Sequence, residues 1–105
     1  MLTVNVVVLA GTLATDPVEK TMPSGDKLTE LRLSVPEAGK RLLPVPVAVW
    51  DRVLARNALK GVGKGDEVLV HGQLARRFYR NGSTGRAVME VVATGIKKLQ
   101  AGETE

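Results

Sequence analysis

A chain of 105 residues has room for one domain, which buries roughly two thirds of its unfolded surface. It holds no cysteine, which excludes disulfide and thiolate chemistry. No apolar run approaches the roughly 18 residues of a membrane span, and the first residues lack the charged stretch that opens a secretory leader, so a cytoplasmic protein is expected. Net charge is +4, which favours polyanionic partners, and the excess is uneven: residues 71–99 carry six Lys/Arg against a single acid, Glu90.

The valine-rich residues 4–13 read as a first strand, with Gly11 marking a bend or a close approach. Asp16-Pro17 marks a turn, residues 18–22 continue as a short strand, and Pro23-Ser24-Gly25 turns again. Residues 28–35 alternate, with Leu31, Leu33 and Val35 on one face and Glu30, Arg32 and Ser34 on the other, which predicts a half-buried second strand. Residues 36–44 read as a loop. In the third strand, 45–50, Val45, Val47 and Val49 take the core face, which turns Pro46, Ala48 and Trp50 away from it. Asp51 is placed to cap a short helix over 52–60, closed by Gly61, and residues 63–66 form a tight turn. A fourth strand, 67–75, sends Val68, Val70 and Leu74 inward and Leu69, His71 and Gln73 outward. It continues as a basic arm that turns at 81–85 and returns through a fifth strand, 87–95. Residues 1–99 thus form the domain, and 100–105, which lack an apolar anchor, form a short flexible tail.

Five strands with one short helix between the third and fourth make an all-β pattern that closes best as a small barrel. The order is that of the five-stranded Greek-key OB fold, with the last two strands extended past the barrel as a hairpin arm.

The arm is the most informative stretch. Of three aromatic residues in the chain, Phe78 and Tyr79 lie here, among Arg76, Arg77, Arg80 and Arg86. Aromatic planes stack on bases of any sequence and guanidinium groups pair with phosphates, so the mixture suits a single-strand nucleic-acid surface. A solvated hairpin whose charges discourage edge aggregation has the same composition. Adjacent strand residues point to opposite faces, so Phe78 and Tyr79 do not both stack on the same strand path, and one of them packs on the barrel or a neighbouring subunit. Trp50, turned away from the core, suits a stacking platform or a subunit contact. The segment Gly61-Val62-Gly63-Lys64-Gly65-Asp66 lacks the spacing of a phosphate-binding loop and precedes a strand rather than a helix, so it is a turn. His71 is the sole histidine, and nothing beside it would complete a metal site. With no nucleophile–base grouping or carboxylate pair in view, no enzymatic activity, cofactor or metal is expected.

Several stretches in order resemble the bacterial single-stranded DNA-binding proteins: Asn5-Val-Val-Val-Leu-Ala-Gly-Thr-Leu13 with Asp16-Pro17, Met22-Pro-Ser-Gly25, Lys64-Gly-Asp-Glu-Val-Leu-Val-His-Gly-Gln-Leu74, and Arg86 to Val92 with its Glu-Val-Val. The resemblance covers residues 5–92. It implies an OB fold that wraps single-stranded DNA, self-association as a homotetramer or a dimer, and a role in replication, recombination or repair on the nucleoid. Carried over by position, it makes Trp50 and Tyr79 base-stacking aromatics, which leaves Phe78 to packing, and Arg52, Lys64, Arg77 and Arg86 phosphate contacts. The chain departs from the family where further stacking tryptophans would fall, near Gly39 and Pro44, and Val45 stands where a histidine would. The 36–44 loop is shorter than usual, and no acidic-hydrophobic tip of the kind that recruits partner enzymes follows residue 99. Fewer platforms imply weaker binding, and the missing tip implies no recruitment through it. A divergent paralogue, acting as a primosome-type accessory or a structural interaction module with weak DNA affinity, is the alternative.

Overall fold

The computed structural model describes residues 1–37, 41–81 and 84–99, with the side chains of 79–81 outside that description. The elements are β1 (Val7–Leu13), β2 (Val18–Thr21), β3 (Lys27–Val35), β4 (Leu43–Val49), α1 (Arg52–Ala58), β5 (Glu67–Asn81) and β6 (Thr84–Lys98). They form one sheet in the order β1-β5-β6-β4-β3-β2, and the ends of β1 and β3 also pair, Thr12 with Ser34 and Leu13 with Leu33. That pairing closes β1, β5, β6, β4 and β3 into a five-stranded barrel, with β2 as an appended hairpin strand. β4 and β6 run parallel; the other pairs are antiparallel. Closure leaves the barrel strands no unpaired edges along their paired lengths, and the architecture is the OB fold the sequence predicts.

The core is aliphatic. Leu13, Leu31, Leu33, Val47, Val49, Val68, Val70 and Val91 are buried together, joined by Val62 and Ala93. Their period-2 spacing on each strand sets the register, since a slip by one residue would turn this apolar set toward water. Gly11 is required at the closure, because a Cβ there would lie 2.5 Å from the carbonyl oxygen of Ser34.

Two loops fix one end of the barrel. The Asp51 carboxylate accepts from the amides of Val53 (2.9 Å) and Leu54 (3.1 Å), capping α1 as predicted. The helix ends at Ala58 with Leu59 as its cap, so Gly61, at φ +73°, follows the end by one residue more than the sequence reading allows. The Asp16 carboxylate accepts from the Lys64 amide at 2.7 Å, and the Gly65 amide donates to the Leu13 carbonyl at 2.9 Å. The Asp-Pro turn and the Lys-Gly turn are thereby locked together.

Elsewhere the strands depart from the sequence reading. The 18–21 segment is a full ladder partner of β3, which makes six strands among the described residues. β4 begins at Leu43, and β5 and β6 are 15 residues each. Ala48 is buried, although its parity turns it away from the core. Leu74, expected inward, is exposed: the β1 ladder ends at Val7–Gly72, so Leu74 lies past the rim of the barrel. At that rim the β5–β6 register skips Thr94, a bulge that bends the pair into the arm. The turn predicted at 81–85 includes residues 82–83 and the tail is 100–105; both lie outside the described residues.

Candidate nucleic-acid interface

The outer faces of β3 and β4 and the root of the arm enclose a groove of about 380 Å³, lined by Lys20, Glu30, Arg32, Pro46, Arg77, Val88 and Glu90 among others. Strand alternation brings them together. Glu30 and Arg32 share the outer face of β3, opposite Ala48 and Pro46 of β4, and in the arm Ala75 and Arg77 stand across from Glu90 and Val88.

Four charges meet here. The Arg77 guanidinium donates from Nε to Glu90 Oε2 at 3.1 Å and from Nη2 to Glu30 Oε2 at 3.0 Å, while Lys20 Nζ stands 2.8 Å from Glu30 Oε1. Glu90 is only 4 % exposed, the one charged residue buried among the described residues, so this guanidinium offsets a desolvated carboxylate. Burial alone would raise the pKa of Glu30. The hydrogen bonds and charges of Lys20 and Arg77 outweigh it and hold the carboxyl below its ordinary value. Burial would likewise lower Arg77, but its two carboxylates raise it. The four charges sum to zero, leaving Arg32, exposed and without an ion-pair partner among the described residues, as a cation of the groove not committed to a carboxylate.

The sequence-derived site residues fall into two sets. Trp50 is half-buried just past the end of β4, Arg52 opens α1 and is exposed, and Lys64 is exposed in the turn fixed by Asp16. One step beyond the Thr29–Val49 pair, the ladder would set Leu28 opposite Trp50 on the outer face, and Leu28 is fully buried although it lies outside the core cluster. The second set is on the arm. Arg77 lies in the four-charge cluster, and Arg86 is exposed on β6 with its backbone paired to that of Tyr79; the Tyr79 side chain lies outside the described residues. Phe78, assigned to packing, is 64 % exposed, and its ring lies over Gly85, where an added Cβ would meet it at 2.5 Å.

Sequence reasoning missed Lys20, Glu30, Arg32 and Glu90 as parts of this surface. The signal was present for three of them, in the outward parity of Glu30 and Arg32 and in Glu90 as the lone acid of a basic segment. His71 faces Thr94, whose hydroxyl is 3.2 Å from Nδ1, and among the described residues no three His, Cys, Asp or Glu side chains converge as a metal site requires.

A model of the single-strand binding protein family matches residues 4–99. Among solved structures, the chain is similar to one described as Plasmodium falciparum SSB in complex with ssDNA. Identity is 20 %, with 95 % of this chain and 98 % of that chain covered and a TM-score of 0.77, a likeness of fold.

Proposed function

Because the chain belongs to the single-strand binding protein family, we propose that it binds single-stranded DNA without reading its sequence and without catalysis. The family match over residues 4–99 carries this reading, and the surface chemistry supports it. Trp50 and Tyr79 supply stacking planes, Arg52, Lys64 and Arg86 pair with phosphates, and Arg32 joins them from the groove. Stacking tolerates any base because every base has a π face, and phosphates are common to all sequences. Arg77, whose guanidinium already serves Glu90 and Glu30, works by holding the arm at its angle to the sheet. The cellular task is protection of exposed single strands in replication, recombination or repair, in the cytoplasm on the nucleoid. Among the described residues no helix is long and apolar enough to cross a membrane.

The protein also self-associates in this reading, as a tetramer or a dimer. Val4 and Val6, just before β1, and Val8 within it recur at every second position and are each at least 60 % exposed, next to exposed Leu2. Such a stripe is an expensive surface for an isolated monomer and a good one for a second copy. The accessory-protein alternative keeps this contact and discards most of the DNA affinity.

Mobility-shift titration at low salt tests the proposal. Poly(dT) and mixed-sequence single strands are expected to shift at similar protein concentrations, with duplex of the same sequence a poor competitor. No shift of any single strand would contradict it.

A further inference from the structure

A second opening lies beside α1. Between α1 and the β2–β3 hairpin is an open cleft of about 480 Å³, within the size range of ligand sites. Val49 and Val62 contribute to an apolar lining, and Lys27, Arg52 and Arg56 bring three cations to it against a single acid, Glu19. Lys27 and Glu19 approach only to 3.9 Å and both are well exposed, so they compensate each other weakly. Arg52 and Arg56 are four residues apart on α1, hence on one helix face, and neither has a hydrogen-bond or ion-pair partner among the described residues.

Arg56, in the last turn, complements the helix dipole, whereas Arg52, in the first turn, opposes it beside the capping Asp51 carboxylate, which is already engaged by the Val53 and Leu54 amides. Three cations against one acid around a single cleft, two of them arginines on one helix face that are unpaired among the described residues, point to an anion as the occupant. We propose that this cleft is a phosphodiester subsite of the DNA path, resting on the single-strand reading above, with Lys27 and Arg56 as binding residues additional to Arg52. Arg52, assigned above to a phosphate contact, lines the cleft and lies two residues after Trp50 in the chain, so the cleft shares a cation with the proposed DNA path. Guanidinium forks suit phosphate oxygens, and the apolar lining suits sugar and base faces. Lys64, two residues beyond Val62, continues the cationic track.

The test is fluorescence anisotropy of labelled oligo(dT) against salt, with Lys27→Glu, Arg56→Glu and the double variant. Lys60→Glu, an equal charge change at a residue that does not line the cleft, is the control, and Lys27→Gln with Arg56→Gln serves if a reversal lowers the melting temperature. Each lost phosphate contact is expected to reduce the log–log salt slope by about 0.7, and the double variant by about 1.4, with at least a tenfold loss of affinity. Variants whose slopes match Lys60→Glu would overturn the cleft while leaving single-strand binding intact. Unaltered oligo(dT) slopes with lost binding of oligoglutamate would assign the cleft to an acidic peptide instead. A wild-type protein that leaves oligo(dT) unbound would overturn the single-strand reading as well.

Discussion

Arg77 shows how a residue type legible in sequence acquires its role only from neighbours 13 and 47 positions away. In sequence it is one of four arginines beside two aromatics; in the fold its guanidinium meets a buried carboxylate. Removing one partner of a buried pair typically costs about 3–5 kcal/mol, because the other charge stays desolvated. Arg77→Met is therefore expected to lower unfolding free energy by about 3 kcal/mol in denaturant titration, with Arg77→Lys recovering part of it. If Arg77 positions the arm rather than touching phosphate, residual DNA binding by Arg77→Met keeps the wild-type salt slope. Glu30 adds a pH signature. Its pKa is held below the ordinary value, so its contribution to stability is complete above its unfolded pKa, near 4.5, and is lost as pH falls through the depressed folded value. Stability measured against pH is expected to fall more steeply below about 4.5 in the wild type than in Glu30→Gln. Trp50 carries a different expectation: Trp50→Ala loses about 1–3 kcal/mol of DNA affinity, the worth of one stacked base, with little change in melting temperature.

At the level of elements, the helix and strands were readable wherever a local rule decides them. Asp51 is a capping residue by type and by geometry, and Asp51→Ala is expected to cost about 1 kcal/mol in equilibrium unfolding. The alternation of Leu31 and Leu33, and of Val47 and Val49, fixes β3 and β4 because one side of each must be dry. What alternation does not contain is where the barrel ends. Leu74 keeps the parity of Val68 and Val70, yet it is exposed because β1 has no residue left to pair beyond Val7–Gly72; only the Asn5 side chain reaches the Leu74 backbone, at 2.8 Å to both its carbonyl and its amide. At the same rim Gly72 runs so close to β6 that an added Cβ would overlap the Val92 carbonyl oxygen. Gly72→Ala is expected to lower the melting temperature by several degrees, whereas a substitution at exposed Arg76 leaves it unchanged; equal effects would remove the close approach from the explanation.

For the whole molecule, the uneven charge was the clearest signal and the balance of the candidate site the least legible. The basic last third is real in sequence, but folding brings its one acid, Glu90, and the distant Glu30 onto Arg77, so part of that excess is neutralised inside the protein. The uncommitted cations come instead from three separate regions, at Arg32, around α1 and at Arg86, which a linear count cannot join. The exposed valines around the start of β1 make a parallel prediction: Val6→Asp combined with Val8→Asp is expected to lower the mass measured by light scattering, and an unchanged mass would place the contact elsewhere. The central claim, a sequence-tolerant surface built around the chain's only tryptophan, is tested most directly by following Trp50 emission while oligo(dT) is added at low salt and salt is then raised. The expected result is saturable quenching that reverses with salt, with a log–log slope of about −0.7 for each phosphate neutralised. Constant emission together with no sign of DNA binding at low salt would contradict it.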